Sequence, residues 1–112
     1  MSSSASSAKA AGAAPVQTPN GYRLPDNTTL QHVAKLAIVD DKPIMFDYWA
    51  SSLDKTVIIG VKDNNEKLLV KSEEEYTSPI AKIYKVATEY IIVTENSIYL
   101  VDSAIATKRI SS

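Results

Sequence analysis

The sequence predicts a small α+β domain, mostly β, with one N-terminal helix packed on an antiparallel meander sheet or small barrel of about six strands. Three observations predict it. Ile80 to Val101, IAKIYKVATEYIIVTENSIYLV, is rich in Ile, Val, Tyr and Thr, whose branched and aromatic side chains suit a pleated sheet. Polar punctuation divides that run into three short strands. A single helical pattern, with a start signal of its own, stands upstream.

The chain begins with SSSASSAKAAGAA after Met1. A Ser/Ala segment without large apolar side chains cannot bury enough surface to offset its ordering entropy. Residues 1–20 are therefore expected to form a disordered arm, and residues 21–112 a single β-rich domain. The arm lacks the basic start and apolar stretch of a secretory signal. No apolar run approaches the roughly 20 residues of a membrane span.

Thr28 with Gln31 matches the capping box and opens the helix. Leu30, Val33, Ala34, Ala37 and Ile38 then recur on one helical face. A helix ending near Lys35, with Leu36 to Val39 as a strand, is the competing reading; helical periodicity covers the longer window. Asp40-Asp41-Lys42-Pro43 is the stop.

Ile44 to Trp49, IMFDYW, reads as an aromatic strand followed by a loop from Ala50 to Asp54. Thr56 to Lys62 is the next strand, with Val57, Ile59 and Val61 alternating. Gly60 inside it signals a bulge or a close backbone approach. Asp63-Asn64-Asn65-Glu66 is hairpin-turn chemistry, and Lys67 to Lys71 returns antiparallel with Leu68 and Val70 inward. After Glu73-Glu74-Glu75 and Pro79 comes the meander. Thr94-Glu95-Asn96-Ser97 should turn Glu89–Thr94 onto Ser97–Asp102, because Asn tolerates left-handed angles. Ala87-Thr88, with no Gly or Asn, suggests a longer or bulged connection. A last edge strand is expected around Lys108 to Ile110.

Composition limits the chemistry. The 112 residues carry 12 basic and 13 acidic side chains and no Cys, which removes thiolate ligands, thiol nucleophiles and disulfides. A near-neutral charge argues against a dedicated nucleic-acid binder. His32 is the sole histidine and reads as a surface residue. Glu73 to Glu75 reads as a solvated acidic loop. No phosphate-cradling Gly-rich loop or nucleophile elbow occurs. The sequence assigns no catalytic residue, metal ligand or cofactor.

The run from FDYW at Phe46 through EKLLVKSEEEYTSPI to EYIIVTENSIYLV resembles small uncharacterised proteins of large double-stranded DNA viruses of algae and protists. The resemblance spans roughly Thr28 to Ile110 and carries no functional motif. It implies a virion or infected-cell protein of unknown activity; with no secretory signal or transmembrane segment in the sequence, the expected setting is cytoplasmic or virion-associated.

The expected function is a non-enzymatic interaction or structural module that binds a protein partner or itself through a sheet edge or apolar patch. The alternative is a nucleic-acid-binding module with a Lys/Tyr sheet face. The candidate interaction surface comprises Tyr84, Tyr99, Lys82, Lys62 and Trp49.

Overall fold

In a computed structural model the described residues, 21–110, stack in three layers: helices, a four-stranded sheet and a three-stranded sheet. The arm expected over residues 1–20 lies outside the described residues. In chain order the elements are α1 (Asn27–Asp40), β1 (Ile44–Met45), α2 (Trp49–Leu53), β2 (Ile58–Val61), β3 (Lys67–Val70), β4 (Ile80–Val86), β5 (Glu89–Thr94), β6 (Ile98–Asp102) and β7 (Ala106–Arg109). The expected class, mostly β with one main helix, is what the chain forms. The sheet is covered by its helix rather than closed into a barrel.

The predicted meander β4–β5–β6 is antiparallel and forms the middle layer, in the order β1-β6-β5-β4. Alternation sends successive side chains to opposite faces. Ile91, Val93, Ile98 and Leu100 meet Val33 of α1 and Trp49 of α2. Ile92 and Val101 point the other way, with Tyr90 and Tyr99, onto Val57, Ile59 and Leu69 of the second sheet. The near-continuous apolar runs of β5 and β6 thus fill two cores at once, the pattern of strands covered on both sides. The second sheet has the order β3-β2-β7, with β2 antiparallel to β3 and parallel to β7. The edge strand expected near the C-terminus is β7.

Local chemistry departs from expectation at five places. First, α1 is capped by Asp26, whose carboxylate accepts the Thr28 N–H at 2.8 Å, and not by Thr28. The buried residues of α1 are Thr29 and Val33, with Leu30, Leu36 and Ala37 half-buried. Ala34 and Ile38 face outward; Ile38 is 81% exposed. The Thr29 hydroxyl donates to Val86 O, which rotates the helix relative to the expected stripe. The helix does run through to Asp40, past Lys35.

Second, the IMFDYW strand stops after two residues. The chain turns at Asp47 and Tyr48, and the expected loop after Trp49 is helix α2. Tyr48 enters the core between the sheets while Trp49 enters the helix-side core, and the Ser52 hydroxyl accepts the Asp102 N–H of β6. These tertiary anchors outweigh the strand propensity of the aromatics.

Third, Leu69 is the β3 residue that faces the inner core. Leu68 and Val70 face outward, the reverse of the expected register.

Fourth, Ala87-Thr88 makes a tight two-residue turn, since Val86 pairs directly with Glu89. Ala87 adopts a φ of 54°, a left-handed angle that only Gly takes without cost.

Fifth, the Thr94–Ser97 turn forms without a left-handed Asn96. The Thr94 hydroxyl accepts the N–H groups of Asn96 and Ser97 and holds it instead. In the Asp63–Glu66 turn the left-handed residue is Asn65, with φ 68°, as turn chemistry expects.

Candidate functional site

The five residues of the candidate surface occupy four different places. Lys82 and Tyr84 pair with Val93 and Ile91, so they share the helix-side face of β4. Tyr99 faces the other way and meets the Tyr48 ring edge-on, with centroids 5.3 Å apart. Burial pushes the Tyr99 hydroxyl pKa up, and pushes that of Tyr48 up to about 12. Trp49 is buried, its indole N–H donating to Arg23 O at 2.7 Å beneath the Arg23 guanidinium. Lys62 lies in the second sheet, beyond the end of β2.

The charged residues that do converge hold the fold together. Glu89 is fully buried and accepts from Arg23 at 2.7 Å and from the Asp26 N–H. Arg23 also reaches Asp102, the residue opposite Glu89 on β6. This clamp ties the segment before α1 to the middle sheet, so both carboxylates are engaged. Among the described residues, no three His, Asp or Glu side chains gather closely enough to hold a metal ion. His32, Asp47 and Glu73 to Glu75 are exposed.

The sheet edges are blunted. β1 has two residues. The β3 edge is closed by the returning chain, where Val70 bridges to Tyr76 and the Thr77 N–H donates to Leu69 O. Edge β4 carries Lys82 and Lys85 and a bulge between Ile80 and Lys82. Edge β7 carries Lys108 and Arg109. Lysines, bulges and short strands are the usual guards against edge pairing.

Among the described residues no helix or sheet covers the outer face of β3–β2–β7, although Gly60 and Leu68 on it are buried and Ile58 and Val70 half-buried. Register and alternation place Ile58 and Gly60 of β2, Leu68 and Val70 of β3, and Ala106 and Lys108 of β7 on that face. Ile110 folds over it. A Cβ on Gly60 would lie 2.8 Å from Ile110 Cδ1 and 3.1 Å from Val70 Cγ2, so the missing side chain is what lets Ile110 lie there. The close approach foreseen at Gly60 is real, and no bulge accompanies it.

A groove of about 680 Å³ opens on this face. Ile58, Leu68, Val70 and Ile110 line it, together with Lys62 at one end and Lys71, Ser72, Glu73 and Tyr76 toward the other. The volume falls in the range of ligand clefts, and four of the ten lining residues are aliphatic. Tyr76 stands 61% exposed beside it. Lys71 leans over the Tyr48 ring and donates to Asp47 O, so it joins the groove to the inter-sheet core.

Sequence reasoning missed this face because one alternation was imposed on each strand. The signal was present: Ile58-Ile59 and Leu68-Leu69 are adjacent apolar pairs, and neighbours on a strand cannot share a face. No family model matches the chain, and neither do any curated protein or solved structure.

Proposed function

We propose that the chain is a non-enzymatic interaction module that binds a protein through the outer face of β3–β2–β7. One observation supports this reading: β2 and β3 are apolar on both faces, yet among the described residues only the inner face packs on another layer, and the outer one bears a groove. Strands of that kind are stable components of sheets covered on both sides, and a groove over apolar strands offers a place for a further layer to dock. The blunted edges shift the proposal from strand addition to face docking. On the resemblance to viral proteins, its setting would be the infected-cell cytoplasm or the virion.

The test is affinity capture with the wild-type chain and a Val70→Lys variant, with circular dichroism to check folding. The expected result is a protein retained by the wild type and lost with the variant. Identical capture by both, or none by either, sinks the reading. The nucleic-acid alternative has less support, because only Lys82 and Tyr84 of its residues share a face. It requires salt-sensitive binding to single or double strands, measurable by fluorescence anisotropy.

A further inference from the structure

We infer that the partner of the outer face is a second copy of this chain, docked about a twofold axis so that each Tyr76 enters the groove of the other. The inference rests on the face-docking reading above and adds the identity and arrangement of the partner.

Shape is the first argument. A twofold interface brings one patch against itself, so the patch must be complementary to its own image. This face holds both halves of such a fit. Tyr76 is an exposed aromatic knob, held at the rim by its bridge to Val70. The groove beside it, floored by Ile58, Val70 and Ile110, is an apolar hole large enough for a phenol ring. Tyr is also a side chain that interfaces favour, with a broad apolar body and a hydroxyl that can stay wet.

Charge is the second argument, and it sets the direction. On this face the hairpin end carries Lys62, paired with Glu66 at 3.5 Å, and Lys108, while Lys67 and Arg109 pair with Val61 and belong to the opposite face. The opposite end carries Glu73, Glu74 and Glu75 against Lys71. The face thus runs from a basic end to an acidic end, with an apolar middle. A twofold axis lying in the face and across the strands reverses the strand direction of the second copy. Acidic end then meets basic end, twice. Parallel stacking would set like charge on like and is disfavoured. Lys62 and Glu73 both line the groove, at opposite ends, so in the antiparallel arrangement Lys62 of one copy approaches Glu73 of the other.

Layering is the third argument. Two sheets pack face to face at about 10 Å with their strands roughly aligned. A three-stranded sheet is covered well by another of equal width, and a second copy supplies one.

The experiment is light scattering with sedimentation on the full chain across concentration, at low and high salt. The expected result is a dimer that weakens at high salt. Val70→Lys, at a half-buried position, and Tyr76→Ala, at an exposed one, should give monomers with unchanged circular dichroism. Lys62→Glu and Glu73→Lys should each weaken the dimer, and the double variant should recover most of the loss. A monomer under all conditions overturns the inference, as does a dimer indifferent to Val70→Lys and Tyr76→Ala. Failure of the charge swap to recover overturns the antiparallel arrangement. If the chain is monomeric but Val70-dependent capture of another protein persists, self-docking falls and the module reading stands. If capture is absent as well, both fall.

Discussion

The two sheets are built from the same kind of strand and end in opposite situations. In the middle sheet, β5 and β6 present apolar side chains to both faces, and both faces are covered: α1 and α2 on one side, the second sheet on the other. In the second sheet, β2 and β3 also present apolar side chains to both faces, and only the inner one is covered. Two-faced apolar strands call for two covering layers. Within the described residues the chain has enough elements to supply them for one sheet. On the outer face of the second sheet it leaves a groove.

The sharpest test of that contrast is truncation in each setting. Ile92→Ala, in the middle sheet and fully buried, should cost about 3–4 kcal/mol in urea unfolding, the range for a buried large-to-small change. Val70→Ala, on the open face and half-buried, should cost about 1 kcal/mol or less in dilute protein. Similar losses at the two sites would erase the distinction between a covered and an uncovered face.

Next in size is the clamp that fixes the helical layer. Glu89→Ala removes the only carboxylate that accepts the Asp26 N–H among the described residues and leaves Arg23 paired with Asp102 alone. Because Arg23 is 38% exposed, solvent recovers part of the loss, and about 2 kcal/mol is expected, below the full penalty for a wholly buried pair. Hydrogen exchange should show α1 loosening before β2 and β3. Uniform loosening would mean that the clamp serves the whole domain.

Smaller again is Ala87→Gly. Relief of the left-handed angle should outweigh the added freedom of the unfolded chain and raise stability by about 0.5–1 kcal/mol in the same assay. A loss would show that the Ala87 methyl has a packing role at the β4–β5 turn.

Least visible near neutrality is Tyr48, whose hydroxyl is held neutral by burial, with its pKa up at about 12. A phenol raised in the folded state favours folding fully below its unfolded value near 10, and the contribution is lost as pH climbs toward 12. Stability should therefore decline over that window. Tyr48→Phe should make the decline shallower and change little at pH 7, as followed by denaturant titration across alkaline pH. An unchanged alkaline slope would assign the decline to other groups.

Much of the fold was legible because it depends on local chemistry. The meander, the Asp63–Glu66 hairpin, the length of α1 and the C-terminal edge strand follow from propensity, turn residues and periodicity. The candidate site was barely legible. Tyr84, Lys82, Tyr99, Lys62 and Trp49 look alike in sequence, as polar-tipped or aromatic residues on strands. Their dispersal over two faces and two sheets depends on which element covers which face. Gly60 was the one exact pointer, because a strand glycine marks close approach of another chain segment.

By itself the sequence determined that the chain makes a β-rich domain with one main helix and an antiparallel meander, since side-chain shape and turn chemistry act within a few residues. Packing sets the rest: Trp49 opens a helix, Asp26 and not Thr28 caps α1, and Leu69 rather than Leu68 turns inward. Each depends on a partner far along the chain: Arg23 O for Trp49, Glu89 for Asp26, Ile92 and Val101 for Leu69. Burial against distant residues is worth more than the local preferences it overrides. Which apolar face stays open is therefore settled only when all the layers are in place.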